Sequence, residues 1–176
     1  MTWRPCARIA VVYQDFAHFA LTLRENIAAG AEEPGNANGR VEQAAHWADA
    51  VAAKLPRGYD TELTRLFEGG VELSGGEWQK VALARAFVRD AALVILDEPT
   101  AALDADAEYK LFEQFRELVA GKTALLISHR FSTVRMADYI VVLEGGHIVE
   151  AGSHAELVAR GGRYATLYEM QAGRYR

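Results

Sequence analysis

The 176-residue chain lacks several features that would place it in whole classes of protein. It has a single cysteine, Cys6, which excludes an internal disulfide framework and favours a reducing compartment. No apolar run approaches the roughly 20 residues of a membrane-spanning helix, so we expect any membrane role to come through a partner. The net charge is -5 with both signs well mixed, which leaves no basic stripe and argues against a nucleic-acid partner.

A short apolar run, Leu93 to Leu96, ends in two adjacent carboxylates, Asp97 and Glu98, and then a proline. Such a run predicts a buried parallel strand, and ligands bind at the carboxyl edge of open α/β sheets. Two neighbouring acids at that edge are explained by a cation or a proton-transfer task, or by a strand that ends in a solvated acidic turn. This stretch alone leaves both interpretations open.

Two further apolar runs predict strands of the same sheet. Ile9 to Tyr13 is followed by Gln14, and Thr123 to Ser128 is followed by His129. A helical pattern over about residues 105–119 joins the central strand to the later one, and a strand, helix, strand order implies a right-handed parallel crossover. We therefore expect the polar residues after these strands to lie along one sheet edge.

Between the first two strands, the residues Leu-Ser-Gly-Gly-Glu-Trp-Gln-Lys begin a predicted helix at Leu73. Ser74 is a good N-cap, and Glu77 lies at the spacing of a capping box. Two glycines in a first turn weaken a helix by roughly 1 kcal/mol each, which is easier to understand if an anion approaches the backbone closely. A well-capped structural helix is the simpler interpretation.

The remaining pattern predicts helices at residues 22–29 and 40–55 and a long loop at 56–70, of a length that is usually functional or mobile. It also predicts an antiparallel hairpin at 139–150 and two helices within 153–171.

Taken in order, these segments resemble the nucleotide-binding domain of an ATP-binding-cassette (ABC) transporter, from about Ile9 to the last helix. Leu73 to Glu77 is similar to the family signature Leu-Ser-Gly-Gly-Gln, with Glu77 for the glutamine. Leu93 to Asp97 is similar to the Walker B strand, and residues 101–104 to the D-loop, with Ala101 for the common serine. The resemblance implies an α/β, P-loop NTPase-like fold. It implies a mainly helical signature subdomain at 14–90 and the C-terminal part of the parallel sheet core at 91–176.

The resemblance also implies ATP and Mg²⁺ as cofactors and assigns roles to residues. Glu98 and His129 are the implied catalytic residues, and Asp97 and Gln14 the implied magnesium contacts. The implied nucleotide contacts are Gln14, Ser74, Gly75, Gly76, Glu77 and Asp104.

Such a cassette is expected to couple ATP hydrolysis to export through a transmembrane domain, at the cytoplasmic face of the cell membrane. Its second partner is another nucleotide-binding domain in a head-to-tail dimer. Residues 13–27 and 58–63 resemble exporter-type cassettes, although the arginine that such cassettes carry between Glu68 and Gly69 is missing.

The sequence lacks the P-loop pattern G-x-x-x-x-G-K-[ST]. Its Gly-Lys-Thr, residues 121–123, has Arg116 at the position of the first glycine and is expected to end a helix. We therefore expect an N-terminally truncated cassette, a fragment of a longer transporter or a shortened gene, that binds ATP weakly or not at all by itself and is inactive alone. The alternative is a non-catalytic cassette that dimerises and supplies the signature motif in trans. A third interpretation, a non-transport ABC ATPase, is disfavoured because no coiled-coil insertion or tandem second cassette is present.

Overall fold

The computed structural model describes residues 8–31, 38–66, 68–99, 108, 111–113, 115–116 and 119–172. It divides the chain into two compact units, Met1–Ile127 and Ser128–Arg176.

The first unit contains a three-stranded parallel sheet. Its strands are β1 (Ile9–Val12), β2 (Leu93–Asp97) and β3 (Thr123–Ile127), in the order β1-β2-β3. Val12 lies opposite Leu96, and Asp97 lies opposite Ile127. The predicted parallel sheet and α/β fold are therefore confirmed, with the Asp97 strand at its centre.

Burial across this sheet is uneven. Val94 and Leu96 of β2 are buried at 1% exposure, while the alternate residues of the strand are half-buried. β3 pairs only with β2 among the described strands, and its Leu125 and Ile127 are about half exposed. The described residues between 108 and 116 are helical, and they bury Leu111, Phe112 and Phe115.

The helices of the first unit are α1 (Leu23–Ala28), α2 (Asn38–Ala45), α3 (Asp49–Ala52) and α4 (Gly75–Phe87). The single helix predicted over 40–55 is interrupted by a 3-10 turn, His46–Ala48, and ends at Ala52. The Tyr59 hydroxyl donates to the Ala45 carbonyl at 2.8 Å, and the Asp49 N–H turns to the His46 carbonyl. A bond from residue 49 to residue 45 would continue an α-helix, so the tyrosine replaces the bond at which the helix breaks.

The loop at 56–70 is partly anchored. It contains a 3-10 turn, Gly58–Asp60, and then runs beside the start of α1. Leu23 N–H donates to the Thr61 carbonyl at 3.0 Å, and Leu63 N–H donates to the Leu21 carbonyl at 2.9 Å. Thr61 and Leu63 are buried.

Helix α4 is the buried centre of the helical part. Trp78, Val81, Leu83 and Ala84 on this helix are each at most 1% exposed. Gly30, just after α1, lies so close to α4 that a Cβ there would be 1.8 Å from the Arg85 carbonyl oxygen. The packing of α1 on α4 therefore requires a glycine at this position.

The second unit contains a hairpin and three helices. They are α5 (Phe131–Val134), β4 (Ile140–Glu144), β5 (His147–Gly152), α6 (His154–Arg160) and α7 (Arg163–Ala172). The two strands pair antiparallel, which confirms the predicted hairpin. The unit packs around Ile140, Leu157 and Tyr164. Helix α5 was not predicted, because four residues are too few to show a period.

None of the described helices combines the length and apolar character that crossing a bilayer requires.

Candidate nucleotide site

The carboxyl edge of the parallel sheet collects the first candidate residues. Asp97 is the last residue of β2, and Glu98 follows it. Because Val12 pairs with Leu96, Gln14 and Glu98 each lie two residues beyond a paired position on neighbouring strands. Gln14 is exposed, whereas both acids are half-buried. The register thus brings these three residues to one edge, as the sequence predicts.

The turn after β2 has an unusual backbone. Glu98 has a φ of 47°, a left-handed conformation that costs a residue with a side chain roughly 1–2 kcal/mol. Its N–H donates to the Ile127 carbonyl of β3 at 2.9 Å. On the other side, the carbonyl of the buried Pro99 accepts a hydrogen bond from Gln79 Nε2 of α4. Contacts from two elements therefore hold the Glu98 N–H and the Pro99 carbonyl, which are the two ends of this short turn.

The start of α4 is the second part of the candidate site. Ser74 is the N-cap, and a capping box joins it to Glu77, as predicted. The Glu77 carboxylate accepts from the Ser74 N–H at 3.0 Å and from the Ser74 hydroxyl at 2.8 Å. Ser74 and Gly75 are exposed. This is the N-terminus of a 13-residue helix, and its first two residues, Gly75 and Gly76, have no side chain. Their backbone N–H groups can therefore bind a phosphate group.

A lysine that the sequence analysis missed lies beside this helix start. Lys54 Nζ is 2.9 Å from Glu77 Oε1. This hydrogen bond, together with those from Ser74, lowers the pKa of Glu77 to about 2, so the carboxylate is ionised at neutral pH. The negative charge of Glu77 stabilises the N-terminus of the helix but repels a bound phosphate. The positive charge of Lys54 offsets this repulsion. The two residues are 23 positions apart, so no local pattern predicts the pair.

Helix α4 is also tied to the segment that follows Gln14. Arg85 donates to the Ala17 carbonyl at 2.9 Å and to the carbonyl and side-chain oxygens of Asn26 at 3.0 and 2.9 Å. Its guanidinium carbon also lies 4.6 Å from the centre of the Phe19 ring. Burial lowers the pKa of this guanidinium. The fully buried Asn26 in turn donates to nearby carbonyls, so this segment is fixed to α4 by a polar network.

The other predicted site residues belong to the second unit or lie outside the described residues. His129 is exposed and belongs to the second unit, where its carbonyl accepts from Gln171 Nε2 at 2.8 Å. Its approach to Glu98 remains a prediction. Asp104 and Ala101 lie outside the described residues.

The described part of the chain contains no group of three or more His, Cys, Asp or Glu side chains that could enclose a metal ion. Mg²⁺ nevertheless suits the sheet edge, because it is usually held by one or two carboxylates plus phosphates and water.

Known proteins resemble the chain over nearly its whole length. The family described as ABC transporter matches residues 2–101. The cyclolysin secretion/processing ATP-binding protein CyaB of Bordetella pertussis is 44% identical over 168 residues, which are 94% of this chain and 23% of that protein. The ATP-dependent lipid A-core flippase of Pseudomonas aeruginosa is 45% identical over 164 residues, 92% of this chain and 26% of the flippase.

A solved structure gives the same result in three dimensions. A bacterial Atm1-family ABC exporter with ATP bound has a TM-score of 0.83 and 39% identity to the chain, covering 94% of this chain and 28% of that one. The chain spans about a quarter of the length of these relatives. With more than half of its residues matched by the family and the parallel sheet and helix α4 in place, the chain belongs to the ABC transporter family and has the fold of its ATPase domain.

Proposed function

We propose that the chain is the ATP-binding and ATP-hydrolysing part of an ABC exporter, which couples hydrolysis to export through a membrane domain. ATP binding and ATPase activity belong to the family as a whole. The observation that carries the proposal for this chain is the exposed, capped start of α4 with its two glycines. It offers backbone N–H groups to a phosphate without side-chain obstruction.

The residues at the sheet edge receive complementary roles. Asp97 and Gln14 would hold Mg²⁺, which, when bound, neutralises charge on the phosphates. Glu98 is suited to orient the attacking water and accept its proton, because it is a half-buried carboxylate on a fixed turn. His129 is the proposed second catalytic residue, and Asp104 a proposed nucleotide contact.

The signature residues Ser74, Gly75, Gly76 and Glu77 are proposed to contact a nucleotide held by a second nucleotide-binding domain in a head-to-tail dimer. Residues 14–90 would form the helical subdomain, and 91–176 the C-terminal part of the sheet core.

The membrane partner is proposed to bind beside Gln14. Tyr13, Phe19 and Leu21 are exposed by 63%, 39% and 41%, which gives this segment apolar surface for a partner. The chain would then lie at the cytoplasmic face of the cell membrane, attached through the membrane domain.

A second candidate function is a non-catalytic cassette that dimerises with a complete one and supplies the signature motif in trans. The sequence favours it because the 176 residues contain no P-loop pattern, whereas the start of α4 has the serine and both glycines of the signature, with Glu77 for its glutamine. Under either function, we expect the isolated chain to be inactive and to bind Mg-ATP weakly or not at all. Calorimetric titration checks this, and micromolar binding would contradict it.

Co-expression with a complete exporter cassette tests the proposed function and separates the two candidates. We expect the assembled pair to hydrolyse ATP with the wild-type chain and to lose that activity with Ser74→Arg, which fills the phosphate position. A pair unaffected by Ser74→Arg would refute both candidates. Glu98→Gln then discriminates between them, because it lowers turnover only if the chain's own carboxylate takes part in hydrolysis.

A further inference from the structure

We propose that Gln79 is a positioning residue that couples the signature helix α4 to the turn carrying Glu98. The inference rests on the proposed function, because that function gives Ser74 and Glu98 to two different nucleotides of the dimer. Gln79 would link these two positions within one chain, so that a movement at the start of α4 reaches the turn that carries Glu98.

The contact joins two segments that the sequence separates. Gln79 lies five residues after Ser74 on α4, and it is 3% exposed. Its Nε2 donates to the carbonyl of Pro99, the residue after Glu98. The five residue steps from Ser74 to Gln79 are less than two turns of one hydrogen-bonded helix, so a shift at Ser74 is carried to the Pro99 carbonyl.

The turn that receives this contact is one whose conformation depends on its surroundings. Glu98 has a left-handed φ of 47°, which a residue with a side chain keeps only where neighbouring contacts impose it. The Glu98 N–H donates to the Ile127 carbonyl at 2.9 Å, and the Gln79 bond holds the carbonyl of the following residue, Pro99. Movement of the Pro99 carbonyl therefore changes the direction in which the Glu98 carboxylate points.

The polar side chain of Gln79 suits the orientation of the Pro99 carbonyl better than it suits packing. Its Oε1 is buried and has no hydrogen-bond partner among the described residues. A buried polar atom without a partner lowers stability, so an apolar side chain of the same length would pack at least as well. What the amide adds is one directed hydrogen bond to the turn. Engagement of a nucleotide by Ser74 would thus set the orientation of Glu98.

A double-mutant comparison in the 176-residue chain tests the coupling without nucleotide. Ser74→Arg disturbs the start of α4, and the ¹⁵N amide resonance of Glu98 reports on the turn, with the Val94 amide within β2 as the internal control. We expect Ser74→Arg to displace the Glu98 resonance in the wild-type background and several-fold less in a Gln79→Met background. Equal displacement in both backgrounds, or none in either, would overturn the proposal.

Two further variants separate positioning from a merely structural role. Gln79→Lys keeps a donor and should restore the displacement that Gln79→Met loses. Gln79→Glu can donate to the Pro99 carbonyl only when its carboxyl is protonated, so protection of the Glu98 amide against exchange should fall as pH rises. Gln79→Met should show no such dependence. A variant without a cooperative melting transition is unfolded, and the remaining variants then serve for the comparison. Identical behaviour of Gln79→Met, Gln79→Lys and Gln79→Glu would overturn the proposal.

In the assembled pair, Gln79→Met should lower kcat several-fold and leave the KM for ATP unchanged, because the bound nucleotides are not touched. A changed KM with an unchanged kcat would contradict the positioning role. If the wild-type pair does not hydrolyse ATP, the proposed function fails, and the resonance displacement alone decides the role of Gln79.

Discussion

Two helices in this chain begin with the same capping motif but differ in their proposed roles. At α4 and at α6, a serine N-cap is paired with a glutamate three residues later, and both are capping boxes. The glutamate accepts from the serine N–H at 3.0 Å in Ser74–Glu77 and at 2.9 Å in Ser153–Glu156. The capping box alone therefore says nothing about function.

The two helix starts differ in the residues that come after the serine. After Ser74 come two glycines, so the N–H groups of the first turn are open on that side. After Ser153 comes His154, whose ring nitrogen is 2.8 Å from the Tyr164 hydroxyl and whose ring packs into the core of the second unit. The two glycines at the start of α4 lower stability, whereas His154 at the start of α6 adds packing. We therefore assign anion binding to the start of α4 and a structural role to the start of α6.

Filling the open start should have the largest effect. Gly75→Ala combined with Gly76→Ala places methyl groups where a phosphate would approach, and we expect ATPase activity of the assembled pair to fall roughly 100-fold, as when a donor to a reacting anion is lost. Thermal unfolding should show a gain of about 2 kcal/mol, because each alanine favours a helix over glycine by about 1 kcal/mol. In the matched control, Ala155→Gly in α6 should lower stability and leave activity intact. Full activity of the double variant would contradict the assignment.

Removing the caps should affect the two helices equally in stability and unequally in activity. Ser74→Ala and Ser153→Ala should each lower the free energy of unfolding by about 1 kcal/mol in denaturant titrations. Only Ser74→Ala should also lower hydrolysis by the assembled pair. If Ser153→Ala reduced hydrolysis as much, the two helix starts would not differ in function.

The two glutamates differ in their electrostatic partners, and pH exposes the difference. The folded-state pKa of Glu77 is about 2, below its ordinary value of 4.5, mainly through Lys54. The sign comes from linkage: this contribution to stability is present above pH 4.5 and is lost as pH falls from about 4.5 to about 2. Acid unfolding of Glu77→Gln should therefore be less steep in that window than that of wild type. A wild-type slope in Glu77→Gln would show that the carboxylate is not paired. Hydrogen bonds from Ser153 also lower the pKa of Glu156, so Glu156→Gln serves as the comparison for a capping box without Lys54.

The smallest effect is expected from the lysine itself. The Lys54 side chain is 70% exposed, so Lys54→Met should change stability by only about 0.5 kcal/mol, and less at high salt. It should raise the pKa of Glu77, which NMR titration of the side-chain carboxyl measures. Arg160→Met, near the second box, should leave the pKa of Glu77 unchanged. An unshifted Glu77 pKa in Lys54→Met would assign the lowering to Ser74 alone.

Local features of the sequence predicted most of the fold. The strands coincide with short apolar runs, and the capping box of α4 follows from the spacing of Ser74 and Glu77, because both features depend on neighbouring residues. The break at Ala45 could not be predicted, since it depends on a hydroxyl 14 residues away. The crossover rules made the parallel order of β2 and β3 foreseeable, whereas the register that brings Gln14 to the same edge as Glu98 depends on the pairing of β1 with β2.

The contacts within the candidate site were harder to foresee. Lys54 with Glu77, Gln79 with Pro99 and Arg85 with Asn26 each join residues 20 or more positions apart. No periodicity or spacing marks such pairs, because they exist only after α4 has packed on its neighbours. The left-handed φ of Glu98 is equally invisible in the sequence, where a glycine or asparagine would have indicated it.

The anchoring of the 56–70 loop determines what proteolytic cleavage within the loop does to the fold. Thr61, Leu63 and Thr64 are buried, and the backbone there is bonded to the start of α1. Arg65 and Leu66, immediately afterwards, are exposed, the latter by 83%. A tryptic cut after Arg65 would therefore fall beyond the anchored backbone, and the two fragments would stay associated through hydrogen bonds on one side and the buried face of α4 on the other.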